Sequence, residues 1–122
     1  MSALPDRGDW GGLLWSAKPF SVGIRETIAV NASAPFPRGV ALYENGILLR
    51  SLATKVFVSR IDITEIHRGP GYVRIVWGAG GHRASAVVND LWRIRRTVAA
   101  LREHGFDVQG GRAKNDSSWR AR

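Results

Sequence analysis

The stretch Val40–Leu49 reads VALYENGILL and places Asn45-Gly46 between two apolar runs. Asparagine and glycine tolerate the positive φ angles that a tight two-residue hairpin turn needs at both central positions. The stretch therefore predicts a β-hairpin in which Glu44 lies opposite Ile47. Because side chains alternate along a strand, four apolar residues share the buried face of this hairpin. They are Val40, Leu42, Ile47 and Leu49.

Short segments of alternating apolar and polar residues recur on both sides of this hairpin. Before it, Ile24–Val30 is the first predicted strand, and residues 31–39, which contain two prolines, form a loop. After it, Lys55–Arg60 alternates again, but Ile66 falls out of phase with Ile63. We therefore expect a β-bulge or bend between these two isoleucines, which would let one sheet fold over another.

Two glycine-rich turns, at 69–71 and 78–81, enclose an apolar strand that contains Trp77. We expect the next strand to form a hairpin with it, in which the small residue Ala84 lies opposite Ile75. In this register, two basic residues share the outer face of the hairpin. They are Arg74 and Arg83.

One amphipathic helix is predicted near the C-terminus, from about Asp90 to His104. Asn89 is the expected N-cap, and Gly105 is the expected C′ residue that ends the helix. Its apolar stripe repeats at helical spacing and comprises Leu91, Ile94, Val98 and Leu101. The apolar residues at 106–108 should then fold back onto the sheet. Together, about seven antiparallel strands and this helix predict a mainly β fold.

Four segments of the chain resemble a bacterial pleckstrin-homology-like domain in their order and spacing. They are Leu42–Ile47, Val58–Ile63, Val73–Trp77 and Leu101–Phe106. The resemblance implies a split barrel of about seven antiparallel strands in two nearly orthogonal sheets, closed by the C-terminal helix. Domains of this kind usually serve as binding or assembly modules without catalysis.

The chain divides into three parts on this interpretation. Residues 1–19 are interrupted by glycines and a proline and form a loosely structured N-terminal extension. Its tryptophans, Trp10 and Trp15, either cap an open end of the core or serve as an anchor to a partner or a membrane. Residues 20–108 form the pleckstrin-homology-like domain. Residues 109–122 are polar and basic, and they are expected to form a flexible tail.

The sequence offers little for catalysis. The 122 residues include no cysteine, which excludes disulfides, thiol nucleophiles and cysteine-based zinc sites. The three histidines, His67, His82 and His104, are too widely spaced to suggest a metal site, and no Gly-x-Ser-x-Gly motif occurs. We therefore predict no enzymatic activity, no cofactor and no small-molecule substrate.

The net charge of +8 arises from 18 basic and 10 acidic residues. Such an excess attracts the phosphates of nucleic acid or anionic lipid, although arginine-rich usage also reflects a GC-rich genome. The candidate residues for binding a polyanion are Arg74, Arg83, Arg93, Arg95, Arg96 and Arg102. No signal peptide or membrane span is evident, so a cytoplasmic location is expected.

These observations favour a non-catalytic binding or assembly module that mediates protein–protein interaction or homo-oligomerisation. A partner would dock by adding a strand to an exposed sheet edge or by occupying a groove beside the helix. The candidate partner-binding residues are Trp10, Trp15 and Trp92. The alternative is nucleic-acid or anionic-membrane binding through the arginine-rich helix and tail.

Overall fold

A computed structural model describes residues 7–110 of the chain as ten β-strands in two sheets and one α-helix. The first sheet is antiparallel and has the strand order β1-β4-β5-β6. Its strands are β1 (Leu13–Ala17), β4 (Arg38–Tyr43), β5 (Gly46–Ser51) and β6 (Thr54–Ser59). The predicted mainly β fold with a C-terminal helix is confirmed, whereas the described residues contain ten strands rather than about seven.

The second sheet has the order β10-β7-β8-β9-β2-β3. Its strands are β2 (Ser21–Arg25), β3 (Ala29–Ser33), β7 (Ile63–Gly69), β8 (Tyr72–Ala79), β9 (His82–Asn89) and β10 (Val108–Gly110). All neighbours are antiparallel except β10, which runs parallel to β7. Among residues 7–110, no strand pairing joins the two sheets, so they do not close into a continuous barrel.

The hairpin predicted from Val40–Leu49 forms, and its buried face is confirmed. Leu42 pairs with Ile47, and both side chains are fully buried. The turn, however, falls at Glu44–Asn45, one residue earlier than expected, so Glu44 is not opposite Ile47. The observed pairings are displaced by two residues from the predicted ones. Because side chains alternate between the two faces of a strand, a two-residue displacement leaves each side chain on its predicted face.

Contacts outside the hairpin explain why its turn was misplaced. The side-chain amide of Asn45 donates a hydrogen bond to the Asp9 carbonyl at 2.8 Å, and Glu44 accepts one from Gly12 at 2.8 Å. Gly46 does not have a positive φ. A Cβ atom there would collide with the carbonyl oxygen of Val58 and lie 2.7 Å from the Phe57 ring. Glycine is required by the close approach of β6.

The first predicted strand, Ile24–Val30, is wrong, because the chain reverses within it. The turn at 26–28 separates β2 from β3, and Ile24 pairs with Val30 across the resulting hairpin. The predicted loop at 31–39 is correspondingly shorter. Alternation alone could not show this reversal, since apolar residues from both strands face the core.

The corner between the sheets lies just before the irregularity that the sequence predicted. A 3₁₀ turn at Arg60–Asp62 connects β6 of the first sheet to β7 of the second. The pairing of β7 with β8 then shifts between Ile63 and Glu65. The predicted irregularity between Ile63 and Ile66 is therefore confirmed, but the chain changes sheets three residues earlier, at the 3₁₀ turn.

The hairpin of β8 and β9 confirms the expected contact of small with large residues. Ala86 pairs with Ile75 and Ala84 pairs with Trp77, again two residues from the predicted register. All four side chains are buried. They join a core in which β2 packs against β4 and β5 of the other sheet.

The α-helix, α1 (Ile94–Glu103), begins later than predicted, after a 3₁₀ turn at Leu91–Arg93. Asn89 is the last residue of β9 and is not an N-cap. Of the predicted stripe, Ile94, Val98 and Leu101 are buried, but Leu91 is exposed. Gly105 has a φ of +87° and ends the helix as expected. Phe106 and Val108 are buried, which confirms that the chain folds back.

Candidate functional site

The three tryptophans proposed for partner binding occupy different environments. Trp10 is buried, stacks on Phe57 with ring centroids 4.9 Å apart, and meets Tyr43 edge-on at 5.0 Å. Phe57 and Tyr43 alternate with core residues, so Trp10 covers the outer face of the first sheet. Trp10 neither caps the open end of the core nor presents its ring to a partner.

Trp15 belongs to β1, which pairs with β4, so residues 13–17 are not loosely structured as predicted. Its side chain is half-buried and packs against the main core. Trp92, by contrast, is 73% exposed. Of the three tryptophans, it is therefore the one whose ring is mostly available for binding.

Trp92 lies in a group of exposed apolar residues beside the start of α1, which we call the apolar end. The group is defined as Phe20 (46% exposed), Phe36 (60%), Leu91 (54%) and Trp92. Single exposed apolar side chains are ordinary on protein surfaces, but adjacent ones indicate an interaction site.

Hydrogen bonds bring the three chain segments of the apolar end together. The backbone N–H of Phe20 donates to the Asp90 carboxylate at 3.0 Å, which ties Phe20 to the residue preceding Leu91. The backbone N–H of Ala34 donates to the Phe20 carbonyl at 3.0 Å, two residues before Phe36. The backbone segments that carry the four apolar residues therefore belong to one connected region.

The side chain of Arg38 links two of these backbone segments by hydrogen bonds. Its Nε donates to the Pro19 carbonyl at 2.7 Å, and its Nη1 donates to the Phe36 carbonyl at 3.1 Å. These bonds hold the backbone at Pro19, directly before Phe20, and at Phe36 itself.

The backbone of Leu91 is strained where it leaves β9. Its φ of +52° lies in the left-handed region, which costs a bulky L-residue free energy. Asp90 turns inward and is 6% exposed, while Leu91 turns outward. A strained conformation that exposes an apolar side chain is unfavourable inside the isolated chain, and such outliers cluster at functional sites.

The four helix-region arginines proposed for polyanion binding divide into two kinds. Arg93 forms an ion pair with Asp90 at 3.3 Å, and Arg102 donates from Nη2 to the carbonyls of Val108 and Gly110 at 3.1 and 3.2 Å. Both therefore have structural partners. The other two, Arg95 and Arg96, are exposed and form no ion pair with a described residue.

Arg74 and Arg83 lie on the outer face of the second sheet, as predicted. Arg83 pairs with Gly78, which lies four residues after Arg74 on β8. The two arginines are therefore separated by about 13 Å in the strand direction. The helix packs on the inner side of this sheet with the core, so these two arginines lie on the opposite side from Arg95 and Arg96. The predicted tail arginines, beyond residue 110, are outside the described residues.

Within residues 7–110, neither a metal-ligand cluster nor a membrane-spanning helix is found. No group of three or more histidine, cysteine, aspartate or glutamate side chains in this range could hold a metal ion. No helix in the same range has the length and apolar character needed to cross a bilayer.

A scan against protein-family models and a search of curated proteins both found no match to this chain.

Phe20 and Phe36, which sequence reasoning did not select, each follow a proline in a loop. The two dipeptides are Pro19-Phe20 and Pro35-Phe36. A phenylalanine held directly after a proline, outside any alternating pattern, has no strand face to bury it. This repeated dipeptide was the signal that could have identified the apolar end.

Proposed function

We propose that this chain is a non-catalytic docking module that binds another protein through the apolar end. The observation that carries the proposal is the joint exposure of Phe20, Phe36, Leu91 and Trp92 on a braced, partly strained surface. Burying one such side chain is worth about 1.5–3 kcal/mol, so a partner that covers all four gains substantial affinity.

We assign the fold to the pleckstrin-homology-like kind on the order of its elements. A meander of β4 to β6, a corner at Arg60–Asp62, a further meander of β7 to β9 and a packed C-terminal helix support this assignment. The departures are the additional strands, above all the β2–β3 hairpin, which extends the second sheet beside β9.

The charge around the apolar end specifies the chemistry of the partner. Trp92 lies in the 3₁₀ turn that leads into α1, three and four residues before the exposed Arg95 and Arg96, so these basic residues follow it within about one turn. The acidic residue of this region, Asp90, is buried and already bonded. The partner surface is therefore apolar with an acidic rim. A second copy of this chain would instead bring like charges together.

Site-specific photo-crosslinking tests the proposal. A photoreactive phenylalanine analogue is placed at Phe36, at Trp92 or at Ile61, and the protein is irradiated in its native cells. Ile61 is a matched control because it is apolar and 92% exposed but lies at the corner between the sheets. The proposal predicts the same crosslinked protein from positions 36 and 92 and none from 61.

The proposal fails if position 61 yields the same products as position 92, or if neither position 36 nor 92 captures a protein. A crosslinked product of twice the chain mass would assign the surface to self-association.

Anionic membrane is the second candidate, favoured by the proximity of Trp92 to Arg95 and Arg96. Exposed aromatic rings beside basic side chains suit the interface of an anionic bilayer. Flotation with phosphatidylglycerol-containing vesicles should then recover the protein, and vesicles of phosphatidylcholine alone should not. Recovery that survives Trp92→Ser together with Arg95→Gln and Arg96→Gln would exclude this candidate.

A further inference from the structure

A separate depression of about 490 Å³ lies on the outer face of the second sheet, across β8, β9, β2 and β3. Its volume is within the range of pockets that hold small organic ligands. The lining residues that face outward from the core include Gly23, Arg25, Asn31, Arg74, Ser85 and Val87. The apolar end is on different elements, so this depression is not part of it.

Strand pairing places two arginines on opposite sides of the depression. Arg74 pairs with Val87, which in turn pairs with Gly23, so Arg74 and Gly23 lie two strands apart, or roughly 10 Å. Arg25 follows Gly23 by two residues on β2 and points to the same face. Two long basic side chains therefore approach the space above Val87 from two directions.

Gly23 keeps the floor of the depression open. A Cβ atom at this position would lie 3.1 Å from the side-chain oxygen of Asn31, which pairs with Gly23 across the β2–β3 hairpin. Asn31 is exposed, and Ser85, the partner of Arg25, is half-buried. An amide and a hydroxyl capable of donating hydrogen bonds thus border a space that no side chain fills.

The charge of the depression is uncompensated by the residues that surround it. Arg25 and Arg74 are exposed, and neither forms an ion pair with any residue in the range 7–110. No carboxylate lines the depression. Glu65, two residues from His67 on β7, lies on the same face of the sheet but does not line the depression. A guanidinium binds a phosphate through two parallel hydrogen bonds, which makes arginine pairs effective anion sites.

We propose that this depression binds a small organic phosphate, with the phosphate held between Arg25 and Arg74. Asn31 and Ser85 donate further hydrogen bonds, and the organic part of the ligand lies against Val87. The β2–β3 hairpin bounds the depression on one side, and on the other side Glu65, beyond the depression on β7, disfavours a continuing chain of phosphates. These limits favour a single phosphate ester over a nucleic-acid strand.

Amide chemical-shift titration of the full chain with phenyl phosphate tests the proposal, with ribose 5-phosphate as a second phosphate ester and phenol as the phosphate-free control. Both esters should shift the amides of Gly23, Ser85 and Val87, and phenol should not. Arg25→Gln and Arg74→Gln should each weaken binding of phenyl phosphate by about tenfold or more, because each loses a charge-assisted interaction.

Arg83→Gln is the matched control, since it removes the same charge from the same sheet face outside the depression. It should change the affinity less than twofold. Equal weakening by Arg83→Gln and Arg74→Gln would overturn the proposal in favour of a general electrostatic attraction. Saturating shifts by a twelve-nucleotide thymidine strand with none from the two esters would also overturn it, as would unchanged amides at these three positions.

Discussion

Two groups of aromatic side chains lie outside the main core, and they differ in how far other residues of the chain cover them. In the first, Trp10 stacks on Phe57 and is 5% exposed. In the second, Phe36 and Trp92 of the apolar end are 60% and 73% exposed. The rings of the first group are covered by other residues of the chain. The second group stands on a hydrogen-bonded backbone, but its rings are mostly exposed to solvent.

This difference separates stabilising residues from docking residues. Contacts that the chain completes by itself contribute to its own stability, so removing them should unfold it more readily. The apolar side chains of the apolar end contribute favourable free energy only when another surface covers them. Composition cannot distinguish the two groups, because both consist of tryptophan with other aromatic residues.

The largest expected effect is the loss of stability in Trp10→Ala. Truncating a buried, stacked tryptophan leaves a cavity against Phe57 and Tyr43, and should lower the free energy of unfolding by about 3 kcal/mol. Urea denaturation followed by circular dichroism measures this. A loss below about 1 kcal/mol would show that Trp10 is no more structural than Trp92.

Gly46→Ala should produce the next largest effect, about 2 kcal/mol, because the new methyl group collides with Val58 and displaces Phe57 from beneath Trp10. Gly78→Ala is the matched control, since Gly78 also lies in a strand but has no atom within 4 Å of an added Cβ. Thermal unfolding of the two variants should differ clearly. Equal melting temperatures would contradict the close packing described for β5 and β6.

Asp90→Ala should cost about 1.5 kcal/mol, because the part-buried N–H of Phe20 loses a charged acceptor and Arg93 loses its partner. Asp90→Asn, which retains an oxygen acceptor, should lose less than half as much. Chemical denaturation of both variants checks this order. If the alanine variant were as stable as the asparagine variant, the hydrogen bond to Phe20 would not organise the apolar end.

The smallest expected effect on stability is that of Trp92→Ala, within about 0.5 kcal/mol of the unchanged protein. Its mostly exposed ring contributes little to the isolated chain. The measurement is the same urea denaturation used for Trp10→Ala, so the two tryptophans are compared directly. A loss comparable to that of Trp10→Ala would remove the distinction between the two aromatic groups.

Much of the fold could be predicted because burial imposes a strict alternation. The faces of Leu42 and Ile47, the irregularity after Ile63, and the burial of Val98 and Leu101 all follow from which residues must avoid water. Face assignment is insensitive to a two-residue displacement. The hairpin registers were therefore wrong even where the faces were right.

The features that escaped prediction depend on contacts between distant segments. The turn at Glu44–Asn45 is held by Asp9 and Gly12, more than 30 positions earlier in the chain. The outward position of Leu91 likewise depends on Asp90 reaching Phe20, 70 residues away. Local periodicity contains no information about either contact, so Leu91 was placed in the buried stripe.

The most direct test of the docking role combines stability and binding in one double variant, Phe36→Ser with Trp92→Ser. The photoreactive analogue is placed at Phe20, and crosslinking is measured beside the free energy of unfolding. We predict that unfolding changes by less than about 1 kcal/mol while the crosslinked partner disappears. A loss of several kcal/mol would show that the apolar end is structural, and undiminished crosslinking at normal stability would show that it does not bind the partner.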